Sequence, residues 1–493
     1  MSRSRSIRAG LPHPVVDADG HWIETAPVIK SFFLDFVRDL GGPDLMRRFE
    51  AAGGIDYDET VLRPWSRLGD ADRRAKWTTR PPWWTLPAAN TRDRATAHLP
   101  RLLASRLDEF GIDFAVLYPS RLLTTPAIKD AELRGIACRA LNAYHAEIYA
   151  PFADRLTPVA LVPTHTPEEA IVELTHAVQL GLKAAMINGL VHRPIDTTSG
   201  AAPSDLPNWG SGSGERIDPL GLDSEHDYDP FWRACVALGV APASHTPGMG
   251  WGSRRSVSSY VYNHIGSFGA SMEAFCKALF LGGVTHRFPT LSFGLLEGGV
   301  SWAAQLYADL VGHWEKRNRD AIRDLDPARI DVPLLLELFA KHGDGRFAID
   351  PAAIRDAVTC LEPEPPALDE FAACGIETAE DIRDRFVPRF YFGCEADDPL
   401  VATAFDTRLL PCGSKLRAMF SSDIGHWDVP DMSDVLEEAY ALAEKGLLAD
   451  DDFRDFVFTN PVRFYASANP HFFRGTRIER EAAAVVADAA GAR

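Results

Sequence analysis

Four short segments, the first beginning at Val15 and the last ending at His426, each finish an apolar run on an imidazole or carboxylate side chain. They are Val15-Val16-Asp17-Ala18-Asp19-Gly20-His21, Val240-Ala241-Pro242-Ala243-Ser244-His245, Leu291-Ser292-Phe293-Gly294-Leu295-Leu296-Glu297 and Met419-Phe420-Ser421-Ser422-Asp423-Ile424-Gly425-His426. Metal-ligating groups placed where buried strands emerge restrict the fold strongly, because in a β/α barrel the strand ends converge on one point. The pattern predicts a bound divalent metal.

The rest of the chain alternates in the way such a barrel requires. Leu102 to Phe110 reads as a helix stopped by Gly111, followed by an apolar strand from Phe114 to Tyr118. Strands follow at Thr157 to Val162 and Ala184 to Ile187, with a helix from Pro167 to Leu180 between them that Gly181 ends. Val240 to His245, Leu291 to Glu297, Arg389 to Cys394 and Arg417 to Asp423 supply four more near-continuous apolar runs, as strands covered on both faces should. With the run that ends at His21, these make eight strands of a distorted (β/α)8 TIM-type barrel.

At 493 residues the chain exceeds the usual ~250 residues of such a barrel, so insertions are expected. They fall at about 41–100, which holds Trp65, Trp77, Trp83 and Trp84, at 195–225, rich in Gly, Ser and Pro, and at 313–388, read as mostly helical. Gly210 to Gly214 reads as a linker. Residues 1–13 read as a disordered arm, 14–475 as the barrel domain and 476–493 as an Ala-rich tail.

Composition excludes several partners. A net charge of −18 argues against nucleic acid and anionic membrane, both of which reward clustered Lys and Arg. No stretch approaches the ~18 continuous apolar residues of a membrane span. Met1 to Ala9 carries three arginines but leads into Pro12-His13-Pro14 rather than an apolar core, unlike a signal peptide, and a cytoplasmic location is expected. Seven cysteines contain no C-x-x-C pair, so neither a thiolate zinc knuckle nor a disulfide framework is expected. No Gly-x-Gly-x-x-Gly after a strand, no phosphate loop and no Gly-x-Ser-x-Gly elbow is present.

Taken in order, Asp-Ala-Asp-Gly-His, Ala-Ser-His-Thr-Pro-Gly, Arg287-Phe288-Pro289-Thr290-Leu291 leading into Leu-Glu-Gly-Gly, Ser-Ser-Asp-Ile-Gly-His and Asn460-Pro461-Val462-Arg463-Phe464-Tyr465 resemble the amidohydrolase-related family. Within it they are similar to the branch that includes aminocarboxymuconate semialdehyde decarboxylase. The resemblance covers residues 14–194, 226–312 and 386–470. It implies a metal held by Asp19, His21, His245 and Asp423, with Asp19 in the first position of the family's His-x-His pair. Residues two apart on a strand share a face, so Asp19 and His21 can both point into the barrel. No strand-end Lys suggests a bridging carbamate, so one metal is expected. Two carboxylates and two imidazoles suit Zn or Mn, with Fe possible.

At the sixth strand many decarboxylases of this branch carry His where this chain has Glu297. That departure tilts the expectation to hydrolysis of a small organic acid, amide or lactone, aromatic or cyclic, through metal-activated water, with Asp423, Glu297 and His426 moving protons. The alternatives are non-oxidative decarboxylation of an aromatic or muconate-like acid on the same metal, and a non-catalytic barrel that only binds. His264, His192 and Arg193 are weaker substrate-binding candidates. Glu24 is weighed as a ligand against a helix start, and Trp83-Trp84 as an aromatic wall against core or interface. Barrels of this kind commonly pair, so a homodimer is expected.

Overall fold

The computed structural model describes residues 2–51, 62–81, 89–195, 215–245, 255–326, 329–359 and 369–491. In chain order the described strands are β1 (Val16–Trp22), β2 (Phe114–Pro119), β3 (Leu156–Val162), β4 (Ala184–Ile187), β5 (Val191–Pro194), β6 (Glu215–Asp218), β7 (Pro242–Ser244), β8 (Phe293–Leu295), β9 (Phe390–Glu395) and β10 (Arg417–Ser421). Eight of them form one sheet in the order β1-β2-β3-β4-β7-β8-β9-β10, and every hydrogen-bonded neighbour in it is parallel. These are the eight expected barrel strands. β5 and β6 pair antiparallel as a separate sheet.

Local chemistry explains the βα alternation. The helix Pro167–Gln179 starts where the Thr166 hydroxyl accepts the Glu169 amide at 3.2 Å and where Pro167 needs no hydrogen bond. It ends just before Gly181, whose φ of +90° carries the chain back toward β4. Trp232 and Phe275 from flanking helices, with Phe390 of β9, pack around Phe293 of β8 and are buried.

The first and last barrel strands meet through a carboxylate. Asp17, fully buried, accepts the Ser422 amide at 3.0 Å and the Ser422 hydroxyl, while the Asp423 amide donates to Asp19 O and the His21 amide to Ile424 O, each at 3.2 Å. The pairing of β1 with β2 slips between Asp17 and Gly20, a bulge that reorients successive side chains. A Cβ on Gly20 would lie 2.5 Å from Asp17 Oδ2, so only glycine leaves this carboxylate room to cross the seam.

The helix Asn460–Ala466 packs into the barrel near where its strands begin. The Tyr465 hydroxyl donates to Ala18 O at 2.6 Å and meets Tyr118 Oη at 3.1 Å, and Asn460 Nδ2 donates to Ala418 O at 2.9 Å. Phe464 packs on Tyr391, and Gly294 has no Cβ because Phe464 Cζ would be 2.6 Å from it. The Asn-Pro-Val-Arg-Phe-Tyr segment is thus a plug of the barrel core.

The N-terminal arm differs from expectation. Residues Arg3–Gly10 form a helix rather than a disordered segment, with Ser4 buried, Arg3 paired to Glu437 and Glu444 at 2.8 Å each, and Arg8 paired to Asp113. Ser2 caps this helix through its side chain, a local signal that the run of Arg and Ser obscures. The Ala-rich tail likewise holds a helix, Glu479–Gly491, that buries Ala482 and Val485. Among the described residues of 313–388 there are helices at Val332–His342, Pro351–Thr359 and Ala379–Phe386. Trp83, Trp84 and Gly210 to Gly214 lie outside the described residues. Among the described cysteines none is bonded to another, and five are buried.

Glu173 gives a fold-level prediction. It is 3 % exposed, accepts from Asn142 Nδ2 at 2.8 Å, and is pushed up to about 7 by burial, against the pull of Asn142 and Arg139. Its folded pKa exceeds its unfolded value of ~4.5, so its contribution is fully present below that pH and is lost as pH rises through about 7. Glu173→Gln, which cannot ionise, should therefore gain stability over the native chain between pH 5 and 8, by an amount on the order of 3 kcal/mol. Thermal melts across that range check it, and a pH-independent difference would refute it.

Candidate metal centre

Two strands, β1 and β7, bring Asp19, His21 and His245 together. All three are completely buried, and each offers one donor atom within 4.8 Å of the others. His245 Nε2 lies 3.1 Å from His21 Nε2, and Asp19 Oδ1 lies 3.5 Å from His21 Nε2 and 3.3 Å from His245 Nε2. Asp423 Oδ1 approaches His21 Nε2 at 3.6 Å from the far side of the seam. Asp423 groups by distance with His21, Glu297 and His426, so His21 is the residue common to both sets. The expected four ligands are adjacent in space, divided between a group of three and a group of four that share His21.

The donor set fits a divalent cation. Both oxygens of Asp19 and Oδ1 of Asp423 are buried without a hydrogen-bond partner, a costly state unless positive charge compensates it. Two imidazole nitrogens facing each other across 3.1 Å, with carboxylate oxygens on both sides, offer the hard and borderline donors of a Zn²⁺ or Mn²⁺ site. Electrostatics follow the crowding. Burial alone would raise Asp19, yet His245 and His21 outweigh it and hold its carboxyl below the usual range. Burial pulls His245 down, but Glu297 and Asp19 bring it above its ordinary value. Asp423 is raised by burial, then by Glu297 and Asp19.

Glu297 and His426 form the outer edge of this group. Glu297 Oε2 lies 3.6 Å from His245 Nδ1, and its Oε1 lies 3.6 Å from His426 Nδ1. Ser120, just after β2, completes a ring, with Oγ 3.2 Å from His426 Nε2 and 3.4 Å from His21 Nδ1. The His426 ring lies 3.8 Å from that of His21, and burial keeps it well below its ordinary pKa, hence neutral. Burial also pushes Glu297 up to about 8.

Two residues of this edge have unusual backbones. Glu297 has φ +57° and Asp423 φ +49°, a left-handed conformation that costs a non-glycine residue about 1–2 kcal/mol. Such strain persists where the surrounding packing over-determines it, and it aims both carboxyl groups into the barrel mouth. Behind Glu297, a Cβ at Gly298 would come 3.0 Å from Trp302 Nε1, which accounts for glycine there.

The other candidates separate. His264 stands beside the centre in an aromatic shelf, with ring centroids 5.4 Å from Tyr260, 5.6 Å from Trp427 and 5.3 Å from Phe268. Arg193 is not in the metal-side group. It is buried on β5, pairs with Asp218 at 3.0 Å and donates to His165 O and the Tyr228 hydroxyl, which holds the antiparallel sheet to the barrel. His192, its neighbour on β5, points the other way and is exposed. Glu24 is buried but accepts the Arg121 amide at 2.8 Å and belongs to none of the metal-side groups.

Sequence reasoning passed over Ser120, Tyr118, Glu395 and Asp428. Tyr118 stacks on His245 with centroids 5.1 Å apart. Glu395 ends β9, one residue beyond the boundary drawn at Cys394, and the strand-end rule that found the other acids would have found it too.

The amidohydrolase family profile matches residues 16–466. No curated protein matches the sequence. Among solved structures, an amidohydrolase from Mycobacterium avium subsp. paratuberculosis is 15% identical, with 92% of this chain and 100% of that chain covered and a TM-score of 0.52. A dihydroxybenzoic acid decarboxylase from Polaromonas, solved with manganese and 2-nitroresorcinol, is 18% identical over 92% of this chain and 97% of that one, with a TM-score of 0.46. 5-Carboxyvanillate decarboxylase from Sphingomonas paucimobilis is 14% identical over 92% and 98%, with a TM-score of 0.46. A parallel eight-stranded barrel with this matched length leaves one assignment: the chain belongs to the amidohydrolase family.

Proposed function

We propose that this chain is a metal-dependent carboxy-lyase that removes CO₂ from a small aromatic or muconate-like acid. The observation that carries this reading is Glu297: although its replacement of His pointed to hydrolysis in the sequence, it stands as a buried carboxyl between His245 and His426 at the edge of the metal-side group, where it can serve as the acid in that histidine's place. Asp19, His21, His245 and Asp423 would hold a divalent cation, which would supply the positive charge that polarises a substrate carboxylate.

Decarboxylation asks the protein for one acid, positioned to protonate the carbon that loses CO₂. Burial pushes Glu297 up to about 8, the direction that favours the protonated form this role needs. The C–C bond to the carboxylate breaks, its electron pair stays on the ring carbon and takes the Glu297 proton, and Glu297 is then reprotonated from solvent. His426 Nδ1 stands 3.6 Å from Glu297 Oε1, a neutral imidazole beside that carboxyl, while Ser120 Oγ lies 3.2 Å from His426 Nε2 on the other side. Tyr260, His264 and Trp427, packed edge-to-face and tilted against one another, offer aromatic surface for a substrate ring.

Hydrolysis of an amide or lactone is the second reading. It is favoured by Asp423, whose Oδ1 faces His21 while its Oδ2 lies 4.0 Å from His426 Nδ1, an arrangement able to take a proton from water and pass it on. The two separate in one experiment with manganese-loaded protein. Hydroxybenzoate-type acids and a panel of aryl amides and lactones are incubated in D₂O, with CO₂ and products followed by mass spectrometry. The expected result is CO₂ release with one deuterium at the vacated carbon. Cleavage confined to the amides or lactones, with no CO₂ from any acid, would replace the lyase reading with hydrolysis.

A further inference from the structure

A second set of acids meets at the same end of the barrel. Glu395 ends β9, Asp423 follows β10 and Asp428 lies on the loop beyond it, and each offers a carboxylate oxygen within 4.8 Å of the others. The charges acting on Glu395 are all acidic, from Asp428, Asp397, Asp398 and Asp19.

Unpartnered buried polar atoms point into the same corner. Asp428 has its Oδ1 buried without a hydrogen-bond partner. Ser421, 1 % exposed, has an unpartnered Oγ and stands in register with Glu395 on the neighbouring strand. A Cβ on Gly393, two residues before Glu395 and on the same strand face, would come 2.9 Å from that Oγ. The hydroxyl therefore lies on the barrel-facing side, beneath the acids. Carboxylates crowded this way need compensating positive charge.

We propose that Glu395, Asp423 and Asp428 form a second divalent-cation site, with Asp423 shared as a bridging carboxylate between it and the group around His21. Its donors are oxygens only, which selects a hard cation such as Mg²⁺, Mn²⁺ or Ca²⁺ over Zn²⁺. The imidazole-rich group selects the softer ion, so one strand-end aspartate ties together two sites of different preference. This inference rests on the first metal group and is independent of the reaction that group catalyses.

The test is manganese binding to the full-length chain, read by calorimetry and electron paramagnetic resonance, for the native protein and Glu395→Gln/Asp428→Asn. The native chain should bind two equivalents and show a spin-coupled spectrum. The double variant should keep one equivalent with an isolated six-line signal, and bind the second at least tenfold more weakly. If the double variant melts abnormally, Glu395→Gln alone is read in its place. One equivalent in the native chain overturns the second site and leaves the first standing, as does a second equivalent that both variants retain. No bound metal at all overturns both this inference and the metal-dependent function.

Discussion

Glu297→Gln should lower turnover by about 10²–10⁴-fold while leaving the bound metal in place. Glutamine keeps the shape and can still face His245 and His426, 3.6 Å away on either side, but it has no proton to give to carbon or to a leaving group. The side chain sits beside the metal-side nitrogens rather than in the Asp19, His21 and His245 triad, which is why metal content should not fall with it. Rate measurements on the accepted substrate, with metal counted by plasma mass spectrometry on the same samples, check both halves. Turnover at the native level would remove Glu297 from the mechanism. Loss of metal together with activity would make it a ligand instead.

His245→Ala should have the complementary effect, with metal lost and activity lost with it. His245 Nε2 stands 3.1 Å from His21 Nε2 and 3.3 Å from Asp19 Oδ1, so alanine removes one corner of the triad and leaves the buried Asp19 carboxylate without one of the two imidazoles that hold its pKa down. Affinity should fall by more than the roughly 10–100-fold typical when only a residue behind a ligand is changed. The native chain should also melt higher when metal is added, by the linkage worth about 2.7 kcal/mol at a hundredfold excess over Kd, and the variant should show little of this gain. A variant that retains a full equivalent of Zn or Mn would mean that the imidazole is a packing residue.

The sequence reveals the barrel and the inner site for one reason. Parallel strands covered on both faces leave long apolar runs, and a carboxylate or imidazole that ends such a run is conspicuous. Asp19, His21, His245, Glu297 and Asp423 are all of this kind, and they converge because their strands do. Arg193 misleads for the converse reason. It too follows an apolar run, but its partner Asp218 lies across a two-stranded sheet whose pairing no local pattern announces. Ser120 was invisible because a lone hydroxyl after a strand carries no signal, and Glu395 because a one-residue error in a strand boundary hides the side chain that matters. The Asn-Pro-Val-Arg-Phe-Tyr segment marked the family but not its physical role as a plug, since only the folded chain shows Tyr465 reaching Ala18.

The seam between β1 and β10 deserves a thermodynamic reading. Asp17 and Ser422 stitch the two strands, and on either side of that stitch stand Asp19 and Asp423, one from each strand. An ion bound by both acids therefore acts as a clasp on the joint where the barrel is completed. Its binding energy would hold together the two barrel strands most distant in sequence, so the metal-free chain should breathe first at its N-terminal strand. Metal supply would then govern how long this protein survives a protease as well as how fast it works.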